Sequence, residues 1–164
     1  MNIVLTKMTR DLMHAFYQSF AFDAAATPDS EDLTVYKYDV NMVNQRYDKH
    51  LSQGKQHYAI ILNNHVIGDI YLKHIDSTTR SAEMGIHIVH DKYKNKGYST
   101  NAEKLLLQHA FSELGLEVIY ANTLTKNERS KRALIKAGFR EIGGDYHFCY
   151  FECRKDAWTG INLV

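Results

Sequence analysis

Glu83-Met84-Gly85-Ile86-His87-Ile88-Val89, followed from residue 94 by Lys94-Asn95-Lys96-Gly97-Tyr98-Ser99-Thr100-Asn101, decides the reading of this chain. The first run is strand-like. The second is a basic turn around one glycine, and an amphipathic helix pattern from Ala102 to Leu114 follows it. Strand, basic glycine turn and helix together aim a row of backbone N–H groups and a helix N-terminus at a phosphate. The same residues also read as a capped surface turn, because Thr100-x-x-Glu103 spells a capping box.

Outward from this stretch the period changes twice. On the N-terminal side, Ile3 to Leu5 reads as a short strand, and Thr9 to Phe20 as a helix capped by Thr9. An irregular acidic segment follows, with Asp23, Asp29, Glu31 and Asp32, and a second helix is predicted over Asn41 to Leu51. Tyr58 to Leu62 and Val66 to Leu72 form a hairpin about Asn63-Asn64, since Asn tolerates the positive φ of a tight turn. On the C-terminal side, Glu117 to Leu124 is a strand and Asn127 to Ala137 a helix stopped by Gly138. Arg140 to Ile142 and His147 to Arg154 are the last strands. The crossover through the 102–114 helix makes strands 82–89 and 117–124 parallel neighbours. Strand 146–153 is apolar at both parities, which predicts a sheet covered on both faces.

Composition narrows the function classes. A chain of 164 residues is read as one domain, residues 1–164, with a core of its own. A formal charge of +1 argues against a nucleic-acid partner held by bulk charge. No apolar stretch approaches the roughly 20 residues that span a bilayer, so no membrane partner is expected. The N-terminus lacks the apolar core of a signal peptide, so the expected location is cytoplasmic. Cys149 and Cys153 lie in one strand-like segment, about 13 Å apart at Cα, which excludes a disulfide between them. None of the nine histidines makes a His-x-x-x-His pair on a helix, and no metal is expected.

From Glu83 to Gly143 the chain resembles the GNAT superfamily of acyl-CoA-dependent N-acetyltransferases. It is most similar to the branch of ribosomal-protein N-terminal acetyltransferases and spermidine acetyltransferases. Glu83 to Ile88 resembles the family's central strand, and Lys94 to Ala102 its Arg/Gln-x-x-Gly-x-Gly/Ala loop. Asn127-Glu128-Arg129-Ser130 with Lys136-Ala137-Gly138-Phe139 resembles its last conserved block. The resemblance implies an α/β (α+β) fold: a mixed, largely antiparallel sheet of about six to seven strands, helices on both faces and a splayed parallel pair. It implies acetyl-CoA as cosubstrate and a primary amine as acceptor: a polyamine, small amine, or protein or peptide N-terminus. Residues 82–143 would form the acetyl-CoA core and 9–56 the acceptor-recognition helices; a homodimer is compatible with it.

The implied cofactor contacts are Ile86, Ile88, Lys94, Asn95, Lys96, Gly97, Tyr98, Ser99, Thr100, Asn127 and Ser130. Lys94 and Lys96 keep the positive charge a pyrophosphate favours, and Asn127 is both a helix cap and a family contact to the pantetheine arm. Arg129, Arg132 and Lys136 face a 3′-phosphate or simply solvent. Acetyl transfer needs a neutral nitrogen, so an ammonium of pKa near 10 must lose a proton. Strand alternation puts Glu83, Gly85, His87 and Val89 on one face, making Glu83 and His87 the base candidates. Backbone N–H groups near Ile86 to Ile88 suit the developing oxyanion. Leu134 stands where many relatives carry a tyrosine that protonates the leaving thiolate; Ser130, Tyr146 or Tyr150 would substitute. The alternative is a CoA-binding regulator of the same fold without turnover. The acidic segment from Asp23 to Asp32, with Asp39, argues mildly for a cationic acceptor.

Overall fold

A computed structural model describes residues 3–28 and 37–160. Seven strands form one sheet in the order β1-β2-β3-β4-β5-β7-β6. They are β1 (Val4–Lys7), β2 (Gln56–Leu62), β3 (His65–Asp76), β4 (Ser81–Ile88), β5 (Val118–Leu124), β6 (Arg140–Gly144) and β7 (Phe148–Arg154). Four α-helices lie among the described residues: α1 (Arg10–Ser19), α2 (Val40–Ser52), α3 (Tyr98–Ser112) and α4 (Glu128–Ala137). Asp29, Glu31 and Asp32 lie outside the described residues.

Local chemistry accounts for most boundaries. Thr9 caps α1 by accepting from Leu12 N, and Asp39 caps α2 by accepting from Met42 N. Asn63 and Asn64 both have positive φ, 50° and 62°, so β2 and β3 turn through the expected hairpin. α4 ends on Gly138 at φ 112°, and the N–H groups of Gly138 and Phe139 bond back to Ile135 and Leu134 carbonyls. A Cβ there would also come within 2.7 Å of the Trp158 ring.

Among the boundaries that differ from the sequence reading, two concern candidate site residues. α3 begins at Tyr98, a turn before Ala102, because Gly97 at φ 80° lets the chain enter the helix early. Thr100 and Glu103 are therefore inside the helix and form no capping box; Gly97 is the cap. Tyr146 falls before β7, in a turn where Asp145 accepts from the N–H groups of His147 and Phe148.

α3 and α4 cover one face with Leu106, Leu107, Ala110, Phe111, Leu134 and Ala137 against Ile70, Met84, Ile119 and Phe151. α1 and α2 lie on the other, with Met13 and Val43 against Ala59. They reach only its β2–β4 half. Tyr120 and Tyr150 stay 41% and 39% exposed, so β5 and β7 are open on that side, unlike the two-sided cover that strand 146–153 predicted.

β4 and β5 are the parallel pair, in register from Ser81↔Val118 to Met84↔Ala121. Beyond that point each follows its outer neighbour. Gly85 to Ile88 stay paired with β3, and Asn122 to Leu124 with β7. A gap opens between them.

Candidate functional site

A cavity of about 350 Å³ lies at this gap. Its walls are the end of β4, the starts of α3 and α4, and the chain just after α1.

The α3 wall is built to donate. Gly97 contributes no capping side chain, and the first backbone bond of the helix runs from Asn101 N to Gly97 O. The N–H groups of Tyr98, Ser99 and Thr100 precede that bond, so no earlier turn of helix satisfies them, and the helix dipole adds positive potential. All three residues line the cavity, with Lys94, Asn95 and Gly97; Lys96 does not. A Cβ on Gly97 would meet nothing within 4 Å, so φ rather than space demands glycine.

On the α4 wall, the Asn127 side chain accepts from Ser130 N at 3.2 Å. Arg129, Arg132 and Lys136 extend this wall. Asp23, after α1, ties the walls together. It accepts from Lys94 Nζ at 2.6 Å and Arg129 NH2 at 2.7 Å, and Lys94 also bonds Asp91 at 2.7 Å. Burial raises the Asp23 pKa, but the two cations outweigh it and hold it below the ordinary carboxylate range. Asp23 is thus committed to the protein's own cations, and Asp39 to its helix cap. Neither matches the free acidic attractant that the sequence suggested.

The β4 wall is Ile86, His87 and Ile88. His87 has 47% of its side chain exposed, and its Nδ1 lies 2.8 Å from Asp69 Oδ1. Desolvation pulls the imidazole pKa down, yet the charge and hydrogen bond of Asp69 raise it above its usual value. Gly85 makes room for this cluster, since a Cβ there would overlap the Tyr71 ring.

Glu83, the other base candidate, is not in the cavity wall. It is held by Lys73 Nζ at 2.9 Å, His74 Nδ1 at 3.2 Å and Asn122 Nδ2 at 3.2 Å. Burial alone would raise its pKa, but Lys73 and His74 prevail and lower it. Ser130 does line the cavity. Leu134 is buried in the core, and Tyr146 is 89% exposed. The Tyr150 hydroxyl donates to Asp145 at 2.8 Å. Neither tyrosine belongs to the cavity wall, so the suggestion that one of them meets the thiolate is withdrawn.

Three contributors were not read from the sequence. Asp69 carried a signal, as the lone carboxylate in the apolar run Val66 to Leu72. Asp23 was seen only as one charge among several. Glu103 gave none: it lines the cavity, is fully buried, and is the one buried side chain among the described residues whose oxygens find no hydrogen-bond partner. Burial raises its pKa well above the ordinary value. Together, the first N–H groups of α3 and cations from Lys94 to Lys136 fit an elongated polyanionic ligand running into the gap beside His87.

A family model described as the acetyltransferase (GNAT) domain matches residues 2–140. The chain belongs to that family. Among curated relatives, the spermidine N(1)-acetyltransferase of Escherichia coli (strain K12) is 30% identical over 102 residues, 62% of this chain and 54% of the relative. The putative ribosomal N-acetyltransferase YdaF of Bacillus subtilis (strain 168) is 29% identical over 112 residues, 62% of this chain and 61% of the relative. The chain thus matches between about half and three-fifths of these relatives' length. Two solved GNAT structures superpose over nearly the whole chain. A chimera of spermidine N-acetyltransferase SpeG from Vibrio cholerae and hSSAT has TM-score 0.77 at 17% identity, covering 95% of this chain and 97% of the other. AAC(6')-Ib in complex with ribostamycin and coenzyme A has TM-score 0.80 at 16% identity, covering 96% of each chain. At these identities the likeness is one of fold.

Among the described residues, no helix is long and apolar enough to cross a membrane.

Proposed function

We propose that the protein is an acetyl-CoA-dependent N-acetyltransferase acting on a primary amine. The observation that carries this reading is one cavity whose wall joins the end of β4 where it has parted from β5, the open N-terminus of α3, Asn127 at the start of α4 and the imidazole of His87. Acetyl-CoA, when bound, supplies the activated acetyl group and a thiolate leaving group. The N–H groups of Tyr98, Ser99 and Thr100 would hold its pyrophosphate, with Lys94 exchanging Asp23 for phosphate. Arg129, Arg132 and Lys136 offer further cations, and the Asn127 side chain sits at the mouth of the gap for the pantetheine arm.

His87 takes the proton from the acceptor ammonium. Glu83 is assigned instead to bracing β3, β4 and β5 through Lys73, His74 and Asn122. Ile86 and Ile88 frame the open edge of β4. In an antiparallel ladder alternate residues turn N–H and C=O away from the partner strand, so this edge presents N–H groups to a developing oxyanion. Ser130 donates its hydroxyl to the leaving sulfur. A thiol of pKa about 8.5 leaves tolerably as an anion, so the missing tyrosine at Leu134 does not block the step.

In this reading residues 1–164 form one catalytic domain: 82–143 are the acetyl-CoA core and 9–56 receive the acceptor. Polyamines, small amines and peptide N-termini are the acceptor classes. The E. coli relative named for spermidine supports the first, and the putative ribosomal N-acetyltransferase supports the last. The free cysteines suit action in the cytoplasm, where thiols stay reduced. The buried Leu134 favours one rival, a CoA-binding regulator without turnover.

Release of free thiol from acetyl-CoA across a panel of polyamines, small primary amines and peptides tests the proposal. Turnover with at least one class is expected. Stabilisation by CoA with no thiol released from any acceptor supports the regulator instead. No stabilisation at millimolar CoA overturns both.

A further inference from the structure

Behind His87 lies a chain of polar groups drawn from three elements. Asp69 on β3, itself 5% exposed, accepts from His87 on one oxygen and from His57 of β2 on the other, each at 2.8 Å. The second ring nitrogen of His57, Nδ1, lies 3.2 Å from Nδ1 of His50 on α2. His57 is also buried.

With the imidazoles neutral, the protons in this chain have one consistent arrangement. A carboxylate only accepts, so both nitrogens facing Asp69 carry hydrogen. A neutral His57 then has a bare Nδ1, which must accept from the Nδ1–H of His50. A neutral His87 has its lone pair on Nε2, away from Asp69. Because both imidazoles donate into the same carboxylate, no vacancy exists for a proton to hop past Asp69. The chain positions; it does not conduct.

We infer that Asp69, His57 and His50 are positioning residues that lock His87 as its Nδ1–H tautomer, leaving Nε2 as the one nitrogen through which the reaction's proton enters and leaves. This rests on the reading of His87 as the base. The step balances. An N–H bond of the acceptor ammonium breaks, its proton goes to His87 Nε2, and the electron pair stays on nitrogen. That pair forms the bond to the thioester carbon, and the C–S bond breaks with its electrons on sulfur. The second proton of the nitrogen passes to solvent, and His87 returns the first through Nε2 to the thiolate, whose sulfur accepts a hydrogen bond from the Ser130 hydroxyl. One ammonium and one thioester thus give one amide, one thiol and one proton.

Other groups also bear on the imidazole. Lys55, after α2, and Arg46 of α2 oppose its protonation. The Arg46 guanidinium is anchored on the Tyr17 hydroxyl of α1 at 2.8 Å. The Phe16 and Tyr71 rings lie 6.5 and 6.1 Å away, and Glu83, on the same face of β4, is neutralised by Lys73.

Two readouts on the whole protein test this. At a pH above the acid limb of the rate profile, where the ring is neutral, nitrogen-15 NMR of the imidazoles is expected to show His87 protonated at Nδ1 and bare at Nε2, shifting toward a mixture in H57Q and D69N. In the pH profile of kcat/KM for the amine, removing the Asp69 charge lowers the pKa of His87. The acid limb of D69N should therefore move to lower pH, with kcat down about 100-fold and CoA affinity within about threefold of wild type. H57Q, which keeps the carboxylate, should lose about tenfold in kcat with a smaller shift. If D69N does not fold, H57Q carries the test. A His87 protonated at Nε2 in the wild type, or acid limbs unmoved in both variants, overturns the inference. If H87Q keeps full activity, the base reading fails, whereas loss of CoA binding in the wild type would mean that the proposed function fails. Without turnover, the tautomer alone decides.

Discussion

Two carboxyl groups are buried on opposite sides of the same sheet, and their surroundings differ completely. Under α1 and α2, Asp69 is met by two imidazoles, which hold it anionic against the cost of burial. On α3, Glu103 is buried with no hydrogen-bond partner among the described residues, and burial pushes its pKa well above the ordinary value. Depth is the same; the partners decide the charge. In the proposed reading the polar side organises the chemistry, while the other side carries one group that nothing in the fold repays.

That contrast is broken most directly by substitution. D69A leaves two buried or half-buried imidazoles without their acceptor, and is expected to cost about 3–5 kcal/mol in urea unfolding. E103L removes an unpaired buried carboxyl and should gain about 1–3 kcal/mol. Opposite signs are required, and equal signs would dissolve the comparison. Next in size, G97V should weaken CoA binding about tenfold, as read by titration calorimetry, because a β-branched residue at φ 80° strains the turn that presents the α3 N–H groups.

pH sharpens the same comparison. Glu103 has a raised folded pKa, so its contribution is intact below about pH 4.3 and is lost as pH rises through the folded value. The advantage of E103L over the wild type should therefore widen from about pH 4.3 upward. His50 behaves oppositely. Burial, then Lys55 and His57, lowers it to about 4, so stability present above about pH 6.5 is lost on acidification toward that value. Urea midpoints of H50L should show a shallower loss across that window. Smallest is D23N. Its part-buried ion pairs with Lys94 and Arg129 should change stability by about 1 kcal/mol, while thermal shift shows CoA binding preserved.

What the sequence revealed was local. Gly97, Asn127, Gly138 and the Asn63-Asn64 hairpin each act within a few residues, and each does in the structure what its chemistry requires. The failures came where a good local signal lost to a better one or where contacts were distant. Thr100-x-x-Glu103 had the letters of a capping box, but Gly97 starts the helix three residues sooner and turns Glu103 into the core. Asp23 meets Lys94 and Arg129 across 71 and 106 residues of chain, and His50 joins β4 through His57 and Asp69. No periodicity reports such pairings. The family resemblance supplied the splayed strands, and the structure gave the gap its dimensions.

The account rests above all on the cavity beside Gly97 being a CoA site. Thermal unfolding of the wild type and G97V in millimolar acetyl-CoA tests it directly. At about 100 times the dissociation constant, the wild-type Tm should rise by about 5–10 °C, with a clearly smaller rise for G97V. No shift in the wild type, or an equal shift in both, would contradict it.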